Sequence, residues 1–390
     1  MSDENVVERR NKRAAKVQHP KGKLTAYERI NLLLDEDSFN EIDQNVTSIE
    51  NPDGEAVITG SGTVHGRPVY VYSEDFSVMG GSLGEVVAKK ILKIMDKALE
   101  ARAPIIGIKD SGGARIQEGI SSLYGYAQIF KKNVQSSGKI PQISVIVGPS
   151  AGGAVYSPAL TDFIFQVQNI GQLYVTGPAV VKTVTGEDVS FEELGGVEAH
   201  GTKSGVTHQV CETEEQVFEE VRYLLSFLPQ SSFQKPPVFI TEDDSKRLVE
   251  SLDSFIPNNR NLPYDMEKII IDIVDDGEHY PIQGNYATNI ITTFARLNGN
   301  TVGIVANQPL ELAGVLDINA SEKAARFVRF CDAFNIPLLT LVDVPGFLPG
   351  VEQEHGGIIR SGAKLLYAYS EATVPRVCVV IRKAYGGAYI

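Results

Sequence analysis

The residues with the clearest chemical potential lie in two short glycine turns, Gly152-Gly153-Ala154 and Gly387-Ala388. Each turn follows an apolar run with the composition of a buried strand. If a helix begins there, its first backbone N–H groups have no partner within the helix and carry the positive end of its dipole. Small residues let a carbonyl oxygen approach these donors closely. We therefore expect both turns to form oxyanion holes built from backbone alone, although glycines at such turns also serve close packing only.

Two longer loops also follow apolar strands. They are Asp110-Ser111-Gly112-Gly113-Ala114-Arg115 and Asp343-Val344-Pro345-Gly346-Phe347-Leu348-Pro349-Gly350. In open α/β sheets, ligands bind at the edge formed by the carboxyl ends of the strands. The two loops therefore predict two equivalent pockets, each for a carbonyl-bearing ligand.

Rival motifs are weaker. Gly148-Pro149-Ser150-Ala151-Gly152 matches the G-x-S-x-G nucleophile elbow of serine hydrolases, but Ala384 occupies the serine position in the second half of the chain. No histidine lies in an obvious triad context. A phosphate-binding P-loop is absent from the sequence, and the six histidines show no metal-ligand spacing. We therefore expect no metal site on this chain.

The chain is an internal duplication. An offset of 233 residues places Gly66 on Gly299, Lys90 on Lys323 and Asp110 on Asp343. After a one-residue insertion, the offset of 234 aligns the two Gly-Gly-Ala turns. Generic α/β periodicity predicts matching hydrophobicity but not matching Gly, Asp and Pro at one offset. A period of this kind indicates a repeated structural unit.

Each copy predicts the same elements in the same order: a short helix, a hairpin, a long helix, a buried strand, a second helix and another buried strand. The hairpin turns are His65-Gly66 and Asn298-Gly299, the second of which is a strong type I′ signal. Alternating strands and helices predict an α/β fold with helices packed outside sheets. We place the first domain at residues 1–240 and the second at 241–390, within a linker rich in Pro, Ser and Asn.

Composition narrows the class of protein. The 390 residues carry 36 Lys and Arg against 49 Asp and Glu, a net charge of −13, which argues against a protein that coats nucleic acid. No apolar run is long enough to span a membrane, and residues 1–17 lack a secretory signal. The basic residues there predict a solvated helix or a phosphate-contacting arm. Three widely spaced cysteines favour a reducing compartment, hence the cytoplasm.

Long motifs resemble the carboxyltransferase (β) subunits of biotin-dependent acyl-CoA carboxylases, and most of all their propionyl-CoA carboxylase branch. The motifs are those at 110–119, 148–162, 327–337, 343–350 and 382–389, and the resemblance covers essentially the whole chain. It implies two crotonase-like (ββα spiral) domains per chain and a homohexamer. Each site is then expected between the N-domain of one subunit and the C-domain of another.

The resemblance also implies roles. Gly152, Gly153 and Ala154 would hold the thioester oxygen of an acyl-CoA as an enolate develops. Gly387 and Ala388 would hold the ureido oxygen of biotin, with Tyr389 and Ile390 beside them. Many propionyl-preferring relatives have Asp at the position of Ile390, so the choice between acetyl-CoA and propionyl-CoA stays open.

The partner is expected to be a biotin carboxylase and biotin carboxyl carrier subunit, because this chain has no Met-Lys-Met biotinylation tripeptide. Two alternatives remain within the family, the carboxyltransferase subunit of a methylmalonyl-CoA decarboxylase and that of a transcarboxylase complex. The second copy ends two residues after its Gly-Gly-Ala, so we expect the second domain to be cut short. A third alternative is therefore an inactive, oligomer-forming scaffold.

Overall fold

The computed structural model describes residues 6–259 and 261–389, and these divide into two compact units. The first unit ends at Ser226 and the second begins at Phe227. This division lies before the boundary after residue 240 that the sequence suggested. Ile390 lies outside the described residues. Within the described part, no helix is both long enough and apolar enough to cross a lipid bilayer.

The first unit is an α/β structure. Its strands are β1 (Asn40–Ile42), β2 (Val57–Val64), β3 (Arg67–Glu74), β4 (Ile105–Ser111), β5 (Gln142–Ala151), β6 (Phe163–Val167), β7 (Gln172–Tyr174) and β8 (Gln209–Cys211). Its helices are α1 (Val6–Gln18), α2 (Ala26–Leu33), α3 (Glu85–Ala101), α4 (Ile120–Ser136), α5 (Gly153–Ala159), α6 (Pro178–Thr185), α7 (Phe191–Gly195) and α8 (Glu214–Phe227).

One sheet organises this unit, in the strand order β1-β2-β3-β4-β5-β6-β8, with β7 pairing on β5. The pairs β1·β2 and β2·β3 are antiparallel, and the strands from β3 onward run parallel. Every residue of β4 is buried, as expected for a central parallel strand covered on both faces. The apolar stripe of α3, with Val87, Ile91 and Ile94, belongs to the core that covers it.

The second unit repeats this plan with fewer elements. Its strands are β9 (His279–Pro281), β10 (Ile290–Leu297), β11 (Asn300–Asn307), β12 (Leu338–Val344) and β13 (Arg376–Ala384), and its helices are α9 (Met266–Ile273), α10 (Ile318–Ala333), α11 (Val351–Gly356) and α12 (Ile358–Glu371). The sheet order is β13-β12-β11-β10-β9, parallel from β11 to β13.

The duplication predicted from the sequence is confirmed residue by residue. The bounds of β2, β3 and β4 coincide with those of β10, β11 and β12 at the offset of 233, and β5 and β13 begin 234 apart. Helices α2 and α9 correspond at an offset of 240. Equivalent positions in the two units can therefore be compared directly.

Both hairpins turn as the sequence predicts. His65 and Gly66 have φ of 52° and 70°, and Asn298 and Gly299 have φ of 51° and 75°. Positive φ at both central residues is the type I′ geometry, which matches the twist of the flanking strands. An aspartate after the preceding helix receives both turn N–H groups in each unit, Asp35 at 3.1 and 2.8 Å and Asp275 at 2.8 and 2.7 Å.

Replacing Asp35 by Asn is expected to remove a pH-dependent part of the stability of the first unit. Burial alone would raise the pKa of Asp35, but hydrogen bonds from Gly66, Thr63 and Arg222 hold it well below its usual 3.8. A carboxylate with a depressed folded-state pKa stabilises above its unfolded pKa, and this stabilisation is lost as the pH falls through the folded pKa. The difference in Tm between wild type and Asp35→Asn should therefore be largest near neutral pH and shrink below about pH 4. A difference that stays constant from pH 7 to pH 2.5, or that appears equally with the exposed Glu36→Gln, would contradict this role.

Candidate active site

The glycine turn of the first unit leaves two backbone donors free. Strand β5 ends at Ala151, Gly152 takes φ 57° and ψ −119°, and α5 begins at Gly153. The Gly152 N–H donates to the Tyr174 carbonyl at 3.2 Å. In the described chain, the N–H groups of Gly153 and Ala154 meet no protein acceptor. The backbone donors that stay free are thus those of Gly153 and Ala154, and the positive φ of Gly152 sets the turn from which they point.

Glycine fits position 153 best because an aromatic ring packs directly behind it. A Cβ there would lie 2.8 Å from the ring of Tyr126. Tyr126 in turn stacks toward Phe130, with ring centroids 5.9 Å apart, and Phe130 meets Tyr156 of α5 edge-on at 6.3 Å. The three rings brace the first turn of α5 from behind, which fixes the direction of the free N–H groups.

The loop after β4 lies against this turn, as predicted. Ser111 is opposite Ser150 in the β4·β5 register, and a Cβ on Gly113 would lie 2.8 Å from the Ala151 carbonyl oxygen. The Ser111 hydroxyl donates to the Gly81 carbonyl at 2.7 Å and accepts the Gly113 N–H at 3.1 Å. Gly112 is exposed beside it. The structure therefore brings residues 111–113 and 151–154 together at the carboxyl edge of the sheet.

Arg115 does not fit its expected contact with a ligand. Its guanidinium is buried and binds Glu55 at 2.9 Å and Glu118 at 2.8 Å. It also donates to the hydroxyl and the carbonyl of Ser82. The bonds to Glu55 and Ser82 hold the loop 111–119 onto the unit, and the bond to Glu118 lies within the loop. Arg115 therefore supports the loop from inside and leaves its backbone exposed at Gly112.

The carboxylate of Asp110, which the sequence placed in the pocket loop, is fully buried beneath it. Asp110 Oδ2 accepts hydrogen bonds from Gln18 at 2.9 Å, Lys23 at 2.7 Å and Arg29 at 2.9 Å. Arg29 also pairs with Glu214 at 2.5 Å. Burial lowers the pKa of Lys23 despite the attraction of Asp110. The cluster anchors the end of β4 and ties it to the N-terminal helices.

The glycine turn of the second unit shares the positive φ of the first. Gly386 has φ 61°, matching Gly152, and a 3-10 turn covers Gly386–Ala388. Among the described residues, the N–H groups of Gly387 and Ala388 have no protein acceptor. A Cβ on Gly387 would meet no atom within 4 Å, so this turn has no aromatic brace like that behind Gly153. Tyr389 beside it is exposed.

Asp343 is also an anchor rather than an exposed group. Its Oδ2 accepts from the Tyr264 hydroxyl at 2.8 Å and Arg382 Nε at 3.0 Å, and its Oδ1 accepts the Lys383 N–H at 3.1 Å. Burial and the hydrogen bond to Asp343 raise the pKa of Tyr264. Pro345, Gly346 and Phe347 continue the loop and are half-buried. The Asp343 carboxylate holds the end of β13, from which the glycine turn departs.

The buried carboxylates Asp110 and Asp343 differ in which element supplies the arginine that pairs with them. Position 382 corresponds to Gly148 in the first unit. A Cβ on Gly148 would lie 1.8 Å from Asp110 Oδ1, so only glycine leaves room for the carboxylate there. Arg29 of α2 supplies the charge that Arg382 supplies from β13. A glycine aligned with an arginine in the two copies is the sequence signal that could have revealed this exchange.

The serine hydrolase alternative receives no support. The Ser150 hydroxyl is buried and, in the described part of the chain, has no hydrogen-bond partner. His200 bonds to the Leu173 carbonyl and Ser204, and His208 accepts the Ile164 N–H. The described residues also include no group of three His, Cys, Asp or Glu arranged for a metal ion.

Comparisons with known proteins agree with this geometry. Residues 17–390 match the family model of the carboxyl transferase domain. The chain is 59% identical over 381 residues to a propionyl-CoA carboxylase beta chain of Roseobacter denitrificans, covering 96% of this chain and 75% of that protein. It is 57% identical to a methylmalonyl-CoA decarboxylase subunit alpha of Veillonella parvula, with 96% and 75% covered. The crystal structure of the transcarboxylase 12S hexamer with bound methylmalonyl-CoA matches with a TM-score of 0.93 and 52% identity, over 97% of this chain and 75% of that one.

Proposed function

Because this chain belongs to the carboxyl transferase domain family, we propose that it moves a carboxyl group from carboxybiotin to the α-carbon of a short-chain acyl-CoA. It is an enzyme of the acyl-CoA carboxylase class. The observation that carries the residue-level proposal is the pair of equivalent turns with free backbone donors, at Gly153-Ala154 and Gly387-Ala388.

The first turn would act on the acyl-CoA. Removing the α-proton moves negative charge onto the thioester oxygen, and the N–H groups of Gly153 and Ala154 would stabilise that charge. Fixed donors cost no reorganisation when the charge develops. The loop 111–114 would line the same pocket through its backbone, because Arg115 is occupied within the protein.

The second turn would act on biotin, which a partner subunit carries. Carboxybiotin would supply the carboxyl group, and the ureido nitrogen freed when its nitrogen–carbon bond breaks would take the α-proton that the new carbon–carbon bond replaces. The N–H groups of Gly387 and Ala388 would hold the ureido oxygen. Asp343, through Arg382 and Lys383, would keep this turn in place. Pro345, Gly346, Phe347, Tyr389 and Ile390 are proposed to line the pocket.

The assembly is proposed to follow the similar proteins. The transcarboxylase core with which the chain aligns is a hexamer, and a homohexamer is proposed here. The three cysteines are free thiols, which supports a reducing compartment such as the cytoplasm. A biotin carboxylase partner distinguishes the carboxylase from the decarboxylase and transcarboxylase complexes, so the subunits that co-purify identify the complex.

The function is tested by running the reaction backwards. The intact protein is incubated with free biotin and either methylmalonyl-CoA or malonyl-CoA. We expect biotin-dependent formation of propionyl-CoA or acetyl-CoA, measured by chromatography of the CoA esters, and the faster substrate identifies the acyl group. No turnover of either substrate by folded protein would contradict the proposal.

Gly387→Pro is expected to slow the biotin-dependent reaction by at least tenfold relative to Gly387→Ala. Proline removes the N–H while alanine keeps it, and the space around position 387 accepts a Cβ. Loss of one oxyanion donor costs about 10²–10³ in rate. The measurement is kcat at saturating methylmalonyl-CoA with biotin varied. Equal rates for the two variants would show that this N–H holds no reacting oxygen.

A further inference from the structure

The second unit contains a cavity of about 270 Å³ that the proposed reaction does not use. Three carboxylates line it, those of Asp265, Glu267 and Glu311, together with Lys323. The cavity lies between the start of α9, the beginning of β10 and the loop after β11.

In the first unit, an arginine of α1 fills the corresponding place. The side chain of Arg10 is buried; it donates to the Asp53 carbonyl at 2.7 Å and lies 3.7 Å from Glu41. It also lies against Tyr27 and close to Lys90. The counterparts of Glu41, Tyr27 and Lys90 are Pro281, Glu267 and Lys323, all of which line the cavity.

The hydrogen bonds of the paired lysines show what is missing in the second unit. In the first unit, Arg10 donates a hydrogen bond to the Asp53 carbonyl, and Lys90 donates one to the Val57 carbonyl at 2.9 Å. In the second unit, Lys323 alone donates to both equivalent carbonyls, that of Tyr286 at 2.7 Å and that of Ile290 at 2.8 Å. One ammonium group thus covers two carbonyls that need two cations in the other copy.

The charges around the cavity favour a positive occupant. Its three carboxylates outnumber its one ammonium, whose protons already bind carbonyl oxygens. Glu267 also lies 3.5 Å from His279, but burial lowers the pKa of that imidazole, and among the described residues Asp265 accepts hydrogen bonds only from neutral donors, the Glu267 N–H and Gln308. Burial lowers the pKa of Lys323 to about 7, so the lining is at its most negative when that amine is neutral. A planar guanidinium offers five donors in a fixed fork and suits mixed carboxylate and carbonyl surroundings better than an ammonium does.

We propose that this cavity is a binding site for a guanidinium group, taking an arginine-like cation in the place that Arg10 occupies in the first unit. On binding, the guanidinium takes the Tyr286 carbonyl from Lys323, which keeps the Ile290 carbonyl. The source is a free small molecule or an arginine presented by another polypeptide. This site goes beyond the carboxyl transfer reaction.

Chemical rescue tests the proposal. Lys323→Met leaves the buried carbonyls of Tyr286 and Ile290 without a hydrogen-bond donor, and bound 1-butylguanidinium should donate to them instead. We expect saturating ligand to raise the Tm of Lys323→Met by about 2–4 °C more than that of the matched variant Lys90→Met, where Arg10 already fills the site. Neutral 1-butylurea, of the same shape, should give no comparable shift. Equal shifts for the two variants, or for the two ligands, would overturn the proposal.

Direct titration of the wild-type protein keeps the test valid if Lys323→Met does not fold. Calorimetry with butylguanidinium should give a saturable signal that Glu267→Gln weakens about twofold to fivefold. A peptide with the sequence of residues 6–18, compared with the same peptide carrying methionine at position 10, distinguishes the sources. Tighter binding of the arginine peptide than of butylguanidinium assigns a polypeptide partner, and the reverse order assigns a small molecule. Absence of binding by both probes refutes the site.

Discussion

Gly153→Pro is expected to reduce carboxyl transfer to the acyl-CoA by about 10²–10³-fold while leaving the first unit folded. The proline removes the N–H that would face the thioester oxygen. Proline is tolerated at the first position of a helix, where the N–H has no partner within the helix. The measurement is kcat/KM for propionyl-CoA in the complete carboxylase, with far-UV circular dichroism to verify folding.

The control separates lost hydrogen bonding from steric strain. Gly153→Ala keeps the N–H but also places a Cβ 2.8 Å from the Tyr126 ring. Its loss of rate measures the displacement of the turn alone. We expect Gly153→Pro to be at least tenfold slower than Gly153→Ala. If the two variants are equally slow, the position matters only for packing against Tyr126, and the donor role of Gly153 is refuted.

Arg29→Met is expected to destabilise the first unit by about 3–5 kcal/mol. Arg29 is fully buried and bridges Asp110 and Glu214. Removing it leaves two buried carboxylates short of positive charge, and such uncompensated charges are much more costly than the loss of an exposed ion pair. Because the chain has no tryptophan, unfolding in urea is followed by circular dichroism.

Hydrogen exchange locates the effect, because amides of β4 and β5 should exchange faster while those of β10 and β11 do not. Arg29→Lys, which retains the charge but cannot bridge two carboxylates with one planar fork, should fall between wild type and Arg29→Met. Lys182→Met breaks the exposed pair with Asp188 and should cost less than about 1 kcal/mol. Similar losses for Lys182→Met and Arg29→Met would show that burial adds nothing at Arg29.

The parts of the fold that the sequence predicted share one property, which is that they depend on local pattern repeated twice. The hairpin turns at 65–66 and 298–299 need positive φ, and each glycine turn follows a strand with an apolar run. The run in β5 is buried as expected, whereas residues 376–380 of β13 are exposed, contrary to the expectation of a buried strand. Because Gly, Asp and Pro match at one offset, the two halves could be identified as copies of one structural unit. The same logic found Ser111 and Gly113 beside the glycine turn, since parallel strands end at a common edge.

The features that the sequence did not predict depend on contacts between residues that are far apart along the chain. Arg29, Asp110 and Glu214 are far apart along the chain, and no local pattern indicates that they meet. Arg115 stands in a motif of pocket residues, yet Glu55 draws its side chain inward. The N–H of Gly152 is occupied because β7, which the sequence analysis did not predict, pairs on β5 and brings the Tyr174 carbonyl to it.

The bridge made by Arg29 also bears on how the chain is synthesised. A ribosome releases α2 early, whereas Glu214 of α8 emerges only when nearly the whole first unit has been made. Until then the guanidinium has only Asp110 as its ionic partner, and the ion pair between α2 and α8 cannot form. Domains generally fold as units during translation. The first unit should therefore complete its folding only after residue 214 has left the ribosome, and nascent chains that stop before that point are exposed to chaperones and proteases.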